Sequence, residues 1–152
     1  MTRAGRQGRA AVEVLCTDAA SIARAEVLSG RLGAVLATAA GDELADGFAP
    51  APGRLYLKVA RDGLSLLRDG MELKPDFTEM LPRIKQGALQ REMLVKAARV
   101  KGVEHPRAVD ATAGLGEDSL LLAAAGFEVT LCEADPVIAV PLEDALTRAA
   151  AH

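Results

Sequence analysis

The spacing of apolar residues changes several times along this chain, and each change marks an element. Val12-Glu13-Val14-Leu15-Cys16 alternates and is rich in β-formers, which predicts a strand. Ile22, Ala25, Leu28 and Leu32 then recur at helical spacing, with Thr17 or Asp18 placed to cap that helix and Gly33 to stop it. Residues 34–38 predict a second short strand, and 41–53, rich in Gly, Pro, Asp and Ala, a loop. Residues 55–59 and 64–67 predict strands joined through Arg61-Asp62-Gly63, and Asp69-Gly70 a second turn into 71–74. Residues 1–75 are therefore expected to form a small α+β module, with ordered elements from about residue 11, ending in an antiparallel meander.

Residues 75–87 read as a connector. A helix is expected over 88–100, with Leu89, Met93, Ala97 and Val100 on one face. Lys96, Arg99 and Lys101 stand near its C-terminal end, where cations suit the helix dipole, and Gly102 follows as a stop. After Pro106 the pattern becomes strand (108–110), glycine loop, a nearly all-apolar helix (117–125) stopped by Gly126, and strand (128–132). A last helix is expected to begin at Asp135-Pro136, a capping residue followed by proline in the first turn. Pro141 is expected to kink or delay it. The order from residue 108 is that of a βαβ unit opening a doubly wound parallel sheet.

Such a unit binds ligands at the carboxyl end of its first strand. There stands Asp110-Ala-Thr-Ala-Gly114-Leu-Gly116, in which the two glycines allow a sharp turn and a close ligand approach. A dinucleotide loop wants glycine or alanine where this chain has Ser119, and Glu117 and Asp118 would repel a pyrophosphate resting on the helix start. S-adenosylmethionine (SAM) carries no phosphate, and its ammonium and sulfonium suit an acidic site, so the loop points to SAM rather than NAD. Glu133 closes the second strand, 17 residues beyond Gly116, placed to accept the ribose hydroxyls. A plain strand-to-helix turn and a solvated strand-end glutamate are the bland readings of the same residues.

Composition changes this picture in few places. The 152 residues are 50% hydrophobic and 26% charged, an ordinary globular balance, with no apolar run of the eighteen or so residues a membrane helix needs. Arg3, Arg6 and Arg9 are followed by no apolar stretch, so a basic tail is expected rather than a secretory signal. With only Cys16 and Cys132, a reducing, cytoplasmic setting is expected, and Cys132 reads as a buried small hydrophobe. His105 and His152 have no partners at metal-ligand spacing, so no metal is expected and both read as surface residues. Asp76-Phe77 reads as a turn acid beside a core aromatic. The net charge of −3 hides an uneven distribution: 83–107 holds seven basic side chains (Arg83, Lys85, Arg91, Lys96, Arg99, Lys101, Arg107) against Glu92 and Glu104, whereas 108–152 holds one against eight acids. That basic segment suits either a phosphate backbone or a solvated helix face.

With Val109-Asp-Ala-Thr-Ala-Gly-Leu-Gly116, Asp118, Glu133-Ala-Asp-Pro136 and the upstream Gly87…Glu92…Lys96-Ala97…Lys101-Gly102, the chain resembles the bacterial small-subunit ribosomal RNA guanine-N2 methyltransferases. That group modifies one guanine near the 3′ end of 16S rRNA. The resemblance is close over 87–146 and loose over 11–150. It implies an α/β fold: the N-terminal half of a Rossmann-like class I SAM methyltransferase core over 108–152, after the α+β module and a basic helical connector at 76–107. It implies SAM contacts at Asp110, Ala111, Thr112, Ala113, Gly114, Leu115, Gly116, Asp118, Glu133 and Ala134, and small-subunit rRNA on the segment 83–107. Glu117 stands where a basic residue is usual, Ala134-Asp135 replace a basic-polar pair, and Pro141 interrupts a normally smooth helix. The family's Asp-Pro catalytic loop is expected after a fourth strand, so Asp135-Pro136 comes too early to be it. With 36 residues after Gly116, the chain is expected to be a fragment lacking its catalytic residues and prone to self-association. A non-catalytic remnant binding RNA or a partner protein is the alternative.

Overall fold

The structure is a computed structural model that describes residues 12–38 and 50–151. The expectations for the basic tail, for most of the 41–53 loop and for His152 lie outside the described residues. Two compact units divide the chain, Met1–Lys74 and Pro75–His152.

The first unit is a mixed five-stranded sheet with a helix. Its elements are β1 (Val12–Cys16), α1 (Ile22–Leu32), β2 (Val35–Thr38), β3 (Leu55–Ala60), β4 (Gly63–Arg68) and β5 (Met71–Leu73). The strand order is β2-β1-β3-β4-β5. Both neighbours of β1 run parallel to it, and β3, β4 and β5 form the antiparallel meander. A central position explains why β1 buries Val14, Leu15 and Cys16 in succession, where simple alternation would expose one of them. Asp18 caps a short 3-10 turn ahead of α1, accepting from the Ser21 N–H at 2.9 Å, and also accepts from the Arg61 N–H at 3.0 Å. At the other end of α1, Gly33 adopts φ 61°, and the Ala34 and Gly33 N–H groups donate back to Ser29 and Gly30, a Schellman closure. Asp69 and Gly70 both have positive φ, the geometry that a two-residue hairpin turn requires.

The second unit begins with a 3-10 turn at Phe77–Met80, capped by Asp76, and short helices α2 (Leu81–Ile84), α3 (Gln86–Leu89) and α4 (Met93–Ala98). Then follow β6 (Arg107–Asp110), α5 (Glu117–Ala124), β7 (Glu128–Leu131) and α6 (Pro136–Ala150). β6 and β7 pair in parallel on either side of α5, which is the expected βαβ unit.

Four expectations need correction. The single helix at 88–100 is two helices, broken at Gln90–Glu92, where Glu92 takes an extended ψ of 127°. The break rotates the following turn, so Leu89 and Val95 are buried while Met93 is 82% exposed and Val100 61% exposed. Gly102 is not the stop, because Arg99 is already extended after Ala98. The connector, too, has structure: Met80 and Leu89 pack with Val95 and Leu121 in one buried cluster, with Ile84 against it. Burial of these apolar side chains stabilises helices too short to stand on propensity. Lastly, Pro141 does not delay α6, which starts at Pro136 and runs through to Ala150. Pro141 is fully buried, and packing offsets the one helical hydrogen bond that its missing N–H removes. Asp135 caps α6 as expected, accepting from the Val137 N–H at 2.9 Å.

The start of α5 is fixed by what lies beside it. Gly116 has φ 81°, and a Cβ built there would fall 2.7 Å from Leu142 Cδ1 and 3.2 Å from Phe77 Cζ. The space freed by this glycine is therefore filled by protein side chains from α6 and from the turn after Asp76, not kept for a ligand. Of the described residues, no helix is long and apolar enough to cross a membrane.

Two stability predictions follow from these contacts. Gly116→Ala should destabilise the protein by about 1–3 kcal/mol, from backbone strain at positive φ and overlap with buried Leu142. Adding Leu142→Ala should give a total loss smaller than the sum of the two single losses; strictly additive losses in urea melts would show that the predicted overlap is absent. In the first unit, Glu72 Oε1 accepts from Ser65 Oγ at 2.6 Å and from Lys58 Nζ at 3.0 Å. The Ser65 hydrogen bond, then that of Lys58, holds the Glu72 carboxyl below its ordinary value against partial burial. A lowered folded value contributes stability above the ordinary glutamate value of about 4.3 and loses it as pH falls through the folded value. Glu72→Gln should flatten the decline in melting temperature across that acidic window relative to the parent.

Candidate cofactor-binding site

The loop between β6 and α5 is shaped by hydrogen bonds within itself and across to the end of β7. Asp110, ending β6, receives the Thr112 N–H on Oδ1 at 3.2 Å and the Ser119 hydroxyl on Oδ2 at 2.7 Å. The Ala113 N–H donates to the Cys132 carbonyl at 2.9 Å, and the Cys132 N–H to the Asp110 carbonyl at 2.8 Å, so the loop is zipped to the end of β7. The Gly116 N–H closes a tight turn on the Ala113 carbonyl at 2.7 Å. Gly114, with φ 54°, points its N–H at Glu133 Oε2, 3.0 Å away. Glu133 Oε1 receives the Asp135 N–H at 2.8 Å.

Glu133 and Asp110 are thus brought to one place, each half-buried at a strand end. Glu133 is no free solvated glutamate, because both of its oxygens orient backbone. Each oxygen keeps a further lone pair, so capacity for a ligand diol remains. Ala113 and Gly116 face inward, Gly114 and Leu115 are half-buried, and Ala111, Thr112, Asp118 and Ala134 are exposed around the rim. At Gly114 a Cβ would meet nothing closer than the Thr112 carbonyl at 3.9 Å, so that side of the loop is open to a ligand.

Cys132 is exposed, correcting its reading as a buried hydrophobe. It sits just past β7 on an open face of the two-stranded sheet, where Val109 is 70% exposed. His105 is exposed, as expected.

Ser119 enters the site in a role that loop-motif matching missed. Read as a misfit in a dinucleotide fingerprint, it is 3% exposed and its hydroxyl orients Asp110. Phe77 and Leu142 were equally hidden, since their approach to Gly116 is long-range in sequence. Arg83 is the fourth: its Nε and Nη2 both donate to Glu92, each at 2.9 Å, and its Nη1 lies 4.0 Å from Glu117 Oε2 at the start of α5. The Glu92 hydrogen bond raises the Arg83 guanidinium further above its ordinary value and lowers the Glu92 carboxyl. The basic segment is therefore internally neutralised at one position. Lys85, Arg91, Lys96, Arg99 and Lys101 are exposed, and none pairs with an acid among the described residues.

Residues 51–152 match the profile of a family of SAM-dependent methyltransferases. A protein named ribosomal RNA small subunit methyltransferase J, from Acinetobacter baylyi, is 46% identical over 95 residues, 62% of this chain and 34% of that protein. The protein of that name from Aeromonas hydrophila is 35% identical over 146 residues, 91% of this chain and 52% of its own length. A crystal structure of a SAM-dependent methyltransferase from Neisseria gonorrhoeae aligns with a TM-score of 0.62 and 26% identity, covering 92% of this chain and 53% of that one. The chain spans about a third to a half of the length of these relatives. A profile match over two thirds of the chain, falling on a parallel βαβ unit with an acid-and-glycine loop at its strand ends, leaves one assignment: the chain belongs to the SAM-dependent methyltransferase family.

Proposed function

We propose that residues 75–151 hold SAM for the methylation of small-subunit ribosomal RNA, with the exocyclic N2 amine of a guanine in 16S rRNA as acceptor. The observation that carries the cofactor site is the Glu133 carboxylate reaching across to the Gly114 N–H at 3.0 Å, which sets a ribose-competent acid beside the glycine loop. SAM brings a methyl group activated by its sulfonium. The chain's own residues bind and orient it: Glu133 accepts the ribose diol with its remaining lone pairs, the open side of Gly114 lets the ligand approach, and Asp110 holds the loop in shape through Thr112 and Ser119. Asp118 and Glu117, exposed in the first turn of α5, disfavour a pyrophosphate there. The names of the curated relatives support the rRNA substrate. The exposed cations of 83–107 then face the RNA backbone, and such a substrate places the protein in the cytoplasm. None of the described residues is assigned to the methyl-transfer step itself.

Calorimetry with S-adenosylhomocysteine and with NAD tests the cofactor reading; binding of NAD alone would overturn it. Glu133→Ala should weaken S-adenosylhomocysteine binding roughly 10- to 150-fold, the scale of charge-assisted hydrogen bonds. It should also loosen the loop, because two backbone N–H groups lose their acceptor, so unchanged affinity would refute the ribose assignment. For the RNA face, Lys96→Ala and Arg99→Ala should each reduce retention of a 16S rRNA fragment and flatten its salt dependence, with S-adenosylhomocysteine affinity unchanged. Retention of RNA with no S-adenosylhomocysteine binding would favour a non-catalytic binding module.

A further inference from the structure

We infer that Arg83 is the receptor for the α-carboxylate of the ligand's amino-acid end, held ready for it by Glu92; this rests on the cofactor site proposed above. An α-amino acid carries its ammonium and carboxylate on one carbon, so its receptor needs an acid and a base side by side. Such a pair stands at the first turn of α5: Glu117 Oε2 and Arg83 Nη1 are 4.0 Å apart, and Asp118 follows on the next residue.

The loop has few donors left for the carboxylate. The N–H groups of Thr112, Ala113, Gly114 and Gly116 already donate to Asp110, Cys132, Glu133 and Ala113 respectively. These four amides are therefore committed, and a side-chain cation would supply a charged donor that the loop itself lacks. Arg83 is the basic side chain found at the α5 start, and its guanidinium is divided in a useful way. The edge formed by Nε and Nη2 is engaged in a two-point pair with Glu92. That pair fixes the plane of the guanidinium and leaves Nη1, close to Met80 Sδ at 3.8 Å and Glu117 at 4.0 Å, as the end nearest the α5 start. Glu117 is 62% exposed and is free to turn towards an ammonium when a carboxylate takes its place beside Nη1. Glu92 acts through Arg83 and is a positioning residue.

The test uses two ligands that share adenosine and a thioether but differ in the amino acid. S-adenosylhomocysteine carries the carboxylate; 5′-methylthioadenosine lacks the whole amino-acid group. In the full chain, Arg83→Gln should weaken S-adenosylhomocysteine roughly 10- to 150-fold and leave 5′-methylthioadenosine within twofold of the parent. Arg83→Lys, which keeps the charge without the fork, should recover part of the loss, and Glu92→Gln should give an intermediate loss confined to S-adenosylhomocysteine. Equal weakening of both ligands would mean that Arg83 only supports the fold, and unchanged affinity for both would remove it from the site; either result overturns the inference. A parent that binds 5′-methylthioadenosine as tightly as S-adenosylhomocysteine overturns it while sparing the cofactor site. A parent that binds neither overturns both.

Discussion

The Glu133 carboxylate is the contact on which the geometry of the second unit's glycine loop depends. It stands at the end of one strand of a parallel pair, yet its two oxygens orient the loop after the other strand, through Gly114, and the cap of the next helix, through Asp135. A charged acceptor stabilises such N–H groups more than a neutral one would, and both amides would otherwise need water. The same residue thus shapes the loop and presents an acid at the strand ends. Asp110 has a matching double part, binding Thr112 and Ser119 from the end of β6. The two acids act as an internal frame on which the outward-facing side of the loop is displayed.

Behind that frame the packing is apolar. Leu142 and Phe77 close on Gly116 from α6 and from the turn after Asp76, while Leu121 anchors α5 in a cluster with Met80, Leu89 and Val95. This arrangement gives the segment before β6 a structural purpose. Residues 77–98 build part of the unit's core with one set of side chains and offer exposed cations with another. Arg83 belongs to neither set, since Glu92 restrains its Nε–Nη2 edge and its Nη1 reaches Glu117 at the start of α5. The basic segment before β6 and the start of α5 are therefore linked through one ion pair, Arg83 to Glu117.

Much of the architecture was legible in the sequence because it is written in local terms. The strand-loop-helix-strand order after residue 106, the Asp135-Pro136 start of α6 and the Gly33 stop of α1 follow from apolar period, capping chemistry and backbone freedom, which need no distant partner. The acid-and-glycine loop and Glu133 could be named for the same reason, since their types and spacing are visible along the chain.

Tertiary structure decided whatever depends on which residues meet across the fold. Helical spacing placed Met93 on a core face, but the break at Gln90–Glu92 turned it to solvent and brought Val95 in, because the core of Met80, Leu89 and Leu121 is completed only in three dimensions. Cys132 looked buried by its neighbours in sequence and is exposed because no layer among the described residues covers that strand end. Gly116 looked like room for a ligand and is room for Leu142 and Phe77, 26 and 39 residues away in sequence. The sequence by itself determined the elements, the loop and its acids, since backbone preference and hydrogen bonding act over a few residues. The occupants of each space and the partners of each charge were left to packing, which acts between residues that only the folded chain brings together.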